Sequence, residues 1–407
     1  MYIHIGYLKH QVTLRKHMPK FQDDIGSIIR HQRKSMNLTL EESAEGICSV
    51  SYLSKIENNQ LMPSEKYIEL FQEKFNVDLK RIVPKPNEEL LEDLIDLLFY
   101  KEKDNLNEKN FIGMDYHTKL YRFAYYVIHK DYKEAKKAYY SINPYMKNLT
   151  DLELHFYLYL SAYLLKEEGR INDAFTVLNL FKKKCYHYKL NMLIETEKII
   201  LACSMNKYPY VSLNYDRVLN NLVNHEVYHL AHEIKYIYLA YMSQFLSLEM
   251  LNEELEKTVH INKDEKNFVL ATYHYLSMQY EQAFKLIEKD AYKEPSYYLL
   301  TLMILNKIGD EHSINPYLEK EMDTNNAQEF LIIKYLQEKY LIKKQETVGF
   351  IRDHVIKLND LSDRRLELLF WYEEGIEEFK KLGFYKEATH IGQMIFSKIN
   401  DLASLRD

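Results

Sequence analysis

The chain is short of the residues that bend and staple a backbone. Its 407 residues include only 10 glycines and 8 prolines, against roughly 7% and 5% in average usage. Glycine supplies the positive φ of tight hairpins and proline presets many other corners. A chain this poor in both excludes an architecture of many hairpins and predicts one built mostly from helices. Cys48, Cys185 and Cys203 are its only cysteines. They form no Cys-x-x-Cys pair and no metal spacing, which predicts small buried thiols in a reduced, cytoplasmic protein. No apolar run is long enough to span a bilayer and no signal peptide is recognisable, so no membrane partner is expected. A glycine-rich phosphate loop, a Gly-x-Ser-x-Gly elbow and a nucleotide fingerprint are all missing, so no enzyme, cofactor or metal is expected.

What is abundant is aromatic. The 36 tyrosines and 18 phenylalanines sit in a chain that is 46% hydrophobic, enough for a substantial core. Its length fits two or three domains or one long repeat array. Residues 1–82 carry a balance of +2 and the remainder −8. A mildly basic head on an acidic body suits a head that meets nucleic acid. Residues 1–20 read as a short basic N-terminal extension, either a flexible arm or a leader to a start at Met18.

The head, residues 21–83, reads as five short helices. Ile25, Ile28 and Ile29 follow helical spacing in the first. Thr39 with Glu42 three residues on is a capping box that starts a second helix at Leu40. Gly46-Ile47-Cys48 makes a turn, and Ser49 caps a third helix over Val50 to Glu57, with Tyr52, Leu53 and Ile56 inward. Pro63-Ser64 opens a fourth, with Tyr67, Ile68, Leu70 and Phe71 as its apolar face. A fifth element closes around Val77 to Ile82.

The string Leu38-Thr39-x-Glu41-x-x-Ala44, then Val50-Ser51-Tyr52-Leu53-Ser54-Lys55-Ile56-Glu57-Asn58, then Pro63-Ser64, resembles the Cro/C1-type (XRE) helix-turn-helix, and Gly46-Ile47-Cys48 is similar to the Rgg/PlcR branch. The family commonly has Gln directly after the Thr cap, and this chain has Leu40. The resemblance implies that the third helix enters the major groove of double-stranded DNA. Its outward residues Ser49, Val50, Ser51, Ser54, Lys55 and Asn58 are the candidate base and phosphate contacts, with Thr39, Arg30 and Arg33 as further candidates for the backbone.

Pro84-Lys85-Pro86-Asn87 marks a linker (84–88), and residues 89–407 have helical period throughout. Four breaks share one shape: Lys130-Asp131-Tyr132-Lys133-Glu134-Ala135, Glu168-Gly169-Arg170-Ile171-Asn172-Asp173-Ala174, Met278-Gln279-Tyr280-Glu281-Gln282-Ala283 and Leu382-Gly383-Phe384-Tyr385-Lys386-Glu387-Ala388. Ala135 and Ala174 lie 39 residues apart, Ala174 and Ala283 109, and Ala283 and Ala388 105; the last two are each close to three repeats. The pattern resembles a degenerate tetratricopeptide array of roughly eight or nine helix pairs, implying an all-α chain whose body is a right-handed superhelix with a concave face.

A helix-turn-helix head on such a body resembles the peptide-sensing regulators of Gram-positive bacteria, the RRNPP group. That resemblance implies a homodimer on a palindromic operator, and a short signalling peptide in the concave face that controls DNA binding, in quorum sensing or in lysogeny control. Asn side chains suit a peptide backbone because an amide both donates and accepts. The candidates are Asn191, Asn267 and Asn306, with Glu195 and Tyr273 as neighbours.

Two other readings compete. One is a non-catalytic scaffold that binds a protein partner through the array. The other is a zinc hydrolase, because His225-Glu226-Val227-Tyr228-His229 fits His-Glu-x-x-His, with Glu249 or Glu253 as a third ligand and His232 nearby. On one helix this motif would place two imidazoles a turn apart beside a general base. The segment reads as one more helix of the array.

Overall fold

The computed structural model describes residues 5–17, 25–58, 61, 63–79, 86–101, 106, 111, 115–180, 185–258, 261–320, 322, 326–342, 347–356 and 363–403. Among them every regular element is helical and no strand occurs. No helix is long and apolar enough to cross a membrane.

An N-terminal helix, α1 (Ile5–His17), precedes the head. The expected flexible arm is therefore helical over these residues, with Leu8 and Val12 buried. The head contains α2 (Ile25–Ser35), α3 (Leu40–Ala44), α4 (Val50–Glu57) and α5 (Glu65–Phe75). Phe21, where the head was expected to start, and Ile82, where its fifth element was expected to end, lie outside the described residues. Val77 to Leu79 are not helical.

The expected caps are the observed ones. The Thr39 hydroxyl oxygen accepts from the Glu42 N–H while the Glu42 carboxylate accepts from the Thr39 N–H, and Ser49 Oγ accepts from the Tyr52 N–H. Ile25, Ile28, Ile29, Ala44, Leu53, Ile56, Ile68, Phe71, Phe75 and Leu79 form one core. Leu40 packs against it, so the residue that replaces the family's Gln serves the core.

The body begins with α6 (Glu88–Tyr100), capped by Asn87, which accepts from the Leu90 N–H. Asn87 and Glu88 thus belong to the helix and not to the expected linker; Pro84 and Lys85 lie outside the described residues. Eight helix pairs follow among the described residues: α7 (Tyr116–Ile128) with α8 (Tyr132–Ile142), α9 (Asp151–Glu167) with α10 (Ile171–Leu178), α11 (Tyr188–Ser204) with α12 (Tyr208–Asn224), and α13 (Tyr228–Met242) with α14 (Leu248–Lys257). Then come α15 (Lys263–Leu276) with α16 (Tyr280–Ile287), α17 (Pro295–Ile308) with α18 (Glu311–Glu319), α19 (Ala327–Tyr340) with α20 (Thr347–Ile351), and α21 (Arg365–Lys381) with α22 (Tyr385–Ala403).

The repeated turns have one cause. After α7, α9, α11, α12, α15 and α21 a single residue takes positive φ: Lys130, Gly169, Asn206, Glu226, Met278 and Gly383. In each, its N–H and the next one return to carbonyls of the last helical turn, for example Lys130 to Val127 and Asp131 to Tyr126. This is a Schellman end, which satisfies carbonyls that the helix leaves open.

The fourth residue of the following helix is then buried. It is Ala135, Ala174, Ala283 or Ala388 in the four pairs that the sequence displayed, and Val211, Leu251 or Ile314 in three others. Small side chains there let paired helices approach closely.

The chain divides into two compact units. The first comprises residues 1–164 and 179–191, so the head and the opening body helices share it; the second comprises residues 165–178 and 192–407. In the second, α13 packs on α15, α15 on α17 and α17 on α19, so each pair leans on the next as in a repeat array. Residues far apart in sequence also meet there. The Asn172 N–H donates to Asp363 Oδ2 at 3.1 Å, and Lys398 pairs with the other Asp363 oxygen.

Candidate nucleic-acid interface

The exposed surface of the head that sequence reasoning singled out is built by α4. Its eight residues bury Leu53, Ile56 and Glu57 on one side. The opposite side leaves Ser49, Val50, Ser51 and Lys55 exposed, with Ser54 and Asn58 half-buried at its edges. The helix N-terminus is therefore open, with only the Tyr52 N–H satisfied by the cap. Free N–H groups and the positive end of the helix dipole make such a terminus a ready phosphate contact. Thr39, at the start of α3, is also exposed. Its oxygen accepts the cap bond, which leaves the hydroxyl proton to donate outward. Exposed Ser, Lys and Val side chains on a helix end can meet base edges, phosphates and a thymine methyl.

Arg33 has a different job from the one expected of it. Its Nε donates to Glu57 Oε1 at 2.6 Å and Nη2 to Glu57 Oε2 at 2.8 Å, while Nη1 donates to the Leu38 carbonyl at 2.9 Å. This fork ties the end of α2 to the end of α4, with Glu57 5% exposed. The guanidinium is held in the head, and Glu57 keeps its charge further raised above the ordinary arginine range. Arg33 thus sets the position of α4 and does not extend outward. Lys74 is a second structural clamp that sequence reasoning missed. Its ammonium donates to the Glu42 and Glu45 carbonyls at the end of α3, as expected of a cation at a helix C-terminus. Arg30 faces elsewhere, over the Tyr145 ring at 5.9 Å.

Of the peptide candidates, Asn191 and Glu195 stand one turn apart on α11, and Asn267 and Tyr273 lie on α15. Asn191 is buried. Asn306 is 6% exposed. Its Nδ2 donates to Glu374 at 2.8 Å and its Oδ1 accepts from Lys339 and Tyr340, each at 3.0 Å. The amide is consumed by a buried network, not offered to a peptide. Tyr273 packs against the Leu239–Leu251–Val269 core. Glu195 pairs with Arg217 at 2.6 Å and with Lys198. Asn267 is half-exposed, and its side chain makes no hydrogen bond to a described residue.

The His-Glu-x-x-His segment is not helical as a unit, which corrects its reading as one helix. α12 ends at Asn224, His225 caps it, Glu226 takes φ +60°, and α13 starts at Tyr228. His225 and His229 therefore stand on either side of a turn, without the one-helix face that a zinc hydrolase requires. His232 is drawn instead to Glu265 at 3.0 Å. Among the described residues no group of three or more potential ligands converges as a metal site would require. The three cysteines are free thiols, two of them buried, and burial pushes all three above the ordinary thiol range.

The helix-turn-helix family model matches residues 29–82. A transcriptional activator, NprA, of Geobacillus stearothermophilus is 43% identical over 67 residues, which are 16% of this chain and 15% of that protein. The match thus spans about a seventh of that relative's length. A crystal structure of Bacillus thuringiensis PlcR, in complex with the peptide PapR7 and DNA, aligns over 82% of this chain and 99% of that one, at 14% identity and a TM-score of 0.32. The head of this chain is thus a helix-turn-helix domain over residues 29–82.

Proposed function

We propose that this protein is a DNA-binding transcription regulator whose head reads duplex DNA through α4. The observation that carries the reading is the exposed edge of α4, with Ser49, Val50, Ser51 and Lys55 outward and an open N-terminus, in a domain matching the helix-turn-helix family. Ser54, Asn58 and Thr39 flank that edge as further contacts.

The body supports a sensor role. Helix pairs repeated through residues 116–403 are the kind of array that offers an extended surface to a peptide. In this proposal a short signalling peptide binds the body and changes the DNA affinity of a homodimer on a palindromic operator. The zinc-hydrolase reading loses its basis, since the two histidines of its motif are split by a turn.

The test is a mobility-shift measurement with duplexes from the region upstream of the gene. Retention at low salt, and its change on adding short peptides encoded beside the gene, is expected. Failure to retain any such duplex would remove the regulator reading. Binding that survives unaltered when Ser51 and Lys55 are both replaced by Ala would favour a scaffold that meets a protein partner.

A further inference from the structure

Several partly buried cations among the described residues are neutralised. Lys189 is held by Glu92 and Asp96, Lys307 by Glu373 and Arg364 by Glu329. A group inside the first unit is not. Arg30 and Lys34 stand one turn apart on α2 and so share a face. Lys119 on α7 approaches the same place. The Lys119 ammonium lies 4.5 Å from the Tyr145 ring centroid and the Arg30 guanidinium 5.9 Å from it, so one ring carries both. Among the described residues none of the three has an ion-pair partner, and the Arg30 Nε is buried without a hydrogen-bond partner.

The nearby carboxylates are already engaged. Asp115 caps α7, accepting from the Thr118 N–H at 2.9 Å and its hydroxyl at 2.6 Å, and Glu57 is held by Arg33. The crowding and burial disfavour the protonated forms of these groups. Burial, then the Lys34 charge, pushes Lys119 below the ordinary lysine range, with Arg122 and Arg30 adding to it and Asp115 opposing. Lys34 is lowered by burial and then by Arg30 and Arg33, and His31 by burial and then by Lys119.

We propose that Arg30, Lys34 and Lys119 form a cradle for one phosphate-type anion, with Tyr145 as its floor. Three like charges crowded together, with Arg30 and Lys119 half-buried and Lys34 exposed beside them, are costly unless an anion joins them, and a guanidinium with a free Nε–H suits phosphate oxygens. The anion is either a phosphodiester of bound duplex or a free phosphate. The duplex source rests on the regulator reading above and makes α7, a body helix, a second DNA contact; the free source is independent of it.

Lys119→Gln in the full chain tests the cradle, with Lys119→Arg as the charge-preserving control. In chloride buffer the Gln variant is expected to melt no lower than the parent, because a like-charge contact is relieved. If the anion belongs to DNA, the Gln variant loses affinity several-fold for specific and unrelated duplexes alike. The slope of log affinity against log salt then falls in magnitude by about one, and the Arg variant keeps both. If the anion is free, about 10 mM inorganic phosphate raises the melting temperature of the parent over chloride at equal ionic strength; the Gln variant lacks that rise and the Arg variant retains it. A phosphate effect in a protein that binds no duplex would sink the regulator reading and leave the cradle standing. A Gln variant that matches the parent in both salt slope and phosphate response overturns the cradle.

Discussion

At the residue scale, the positions that hold α4 in place are not the positions proposed to read DNA. Arg33 looked like a phosphate contact because it is basic and near the end of α2. Its geometry makes it the partner of a carboxylate 24 residues away, a pairing that no local pattern announces. Removing one member of a pair this buried leaves the other uncompensated, a cost of about 3–5 kcal/mol. Glu57→Ala should therefore loosen α2 and α4, seen as lost amide-exchange protection there in the full chain while α15 to α22 keep theirs. Retained protection in α2 would show that the fork is not needed.

Asn306 teaches the same lesson in the second unit: its amide faces Glu374 from 68 residues away. In that region burial raises the Glu378 carboxyl, but hydrogen bonds from Lys381 and Thr347 outweigh it and leave the group below the ordinary range. A carboxyl lowered on folding adds stability that is complete above its unfolded value, about 4.3, and is lost as pH falls through the folded one. Glu378→Gln should lower the melting temperature at neutral pH and flatten its decline on acidification below about pH 4.5. A variant whose melting temperature runs parallel to the parent at every pH would contradict that linkage.

At the element scale, much of the architecture could be read from the sequence because the signals were local. The caps at Thr39 and Ser49 need only a side chain and a backbone N–H three residues on. The four helix pairs marked by Ala were legible because a small residue recurs at one position after one kind of turn. The intervening pairs were hidden because Val211, Leu251 and Ile314 fill the same buried position with larger side chains.

The turn at Glu226 was hidden for a related reason. Glycine is the expected residue at positive φ, and here a glutamate bears it, inside a motif that suggested a continuous helix. A non-glycine residue pays roughly 1–2 kcal/mol in that conformation, part of which glycine returns as unfolded-chain entropy. Glu226→Gly is expected to stabilise the fold slightly, by about 0.5–1 kcal/mol, read as a raised urea midpoint. A helix running through residues 225–229 would instead be weakened by the same change.

At the scale of the whole molecule, the head and the opening body helices are joined more closely than the expected linker implied. The head shares a compact unit with the opening body helices, and Tyr145 of the body receives a cation from α2 and another from α7. An event in the opening body helices thus has a physical route to α2, which packs on α4. The central claim remains that α4 reads a sequence. The most direct measurement compares the affinity of the full chain for its upstream duplex with that for an unrelated duplex, before and after Ser51→Ala with Lys55→Ala. The account predicts a clear preference for the upstream duplex that the double substitution collapses, while salt-dependent binding to unrelated DNA weakens less. A preference that is absent from the start, or that survives the double substitution intact, would contradict it.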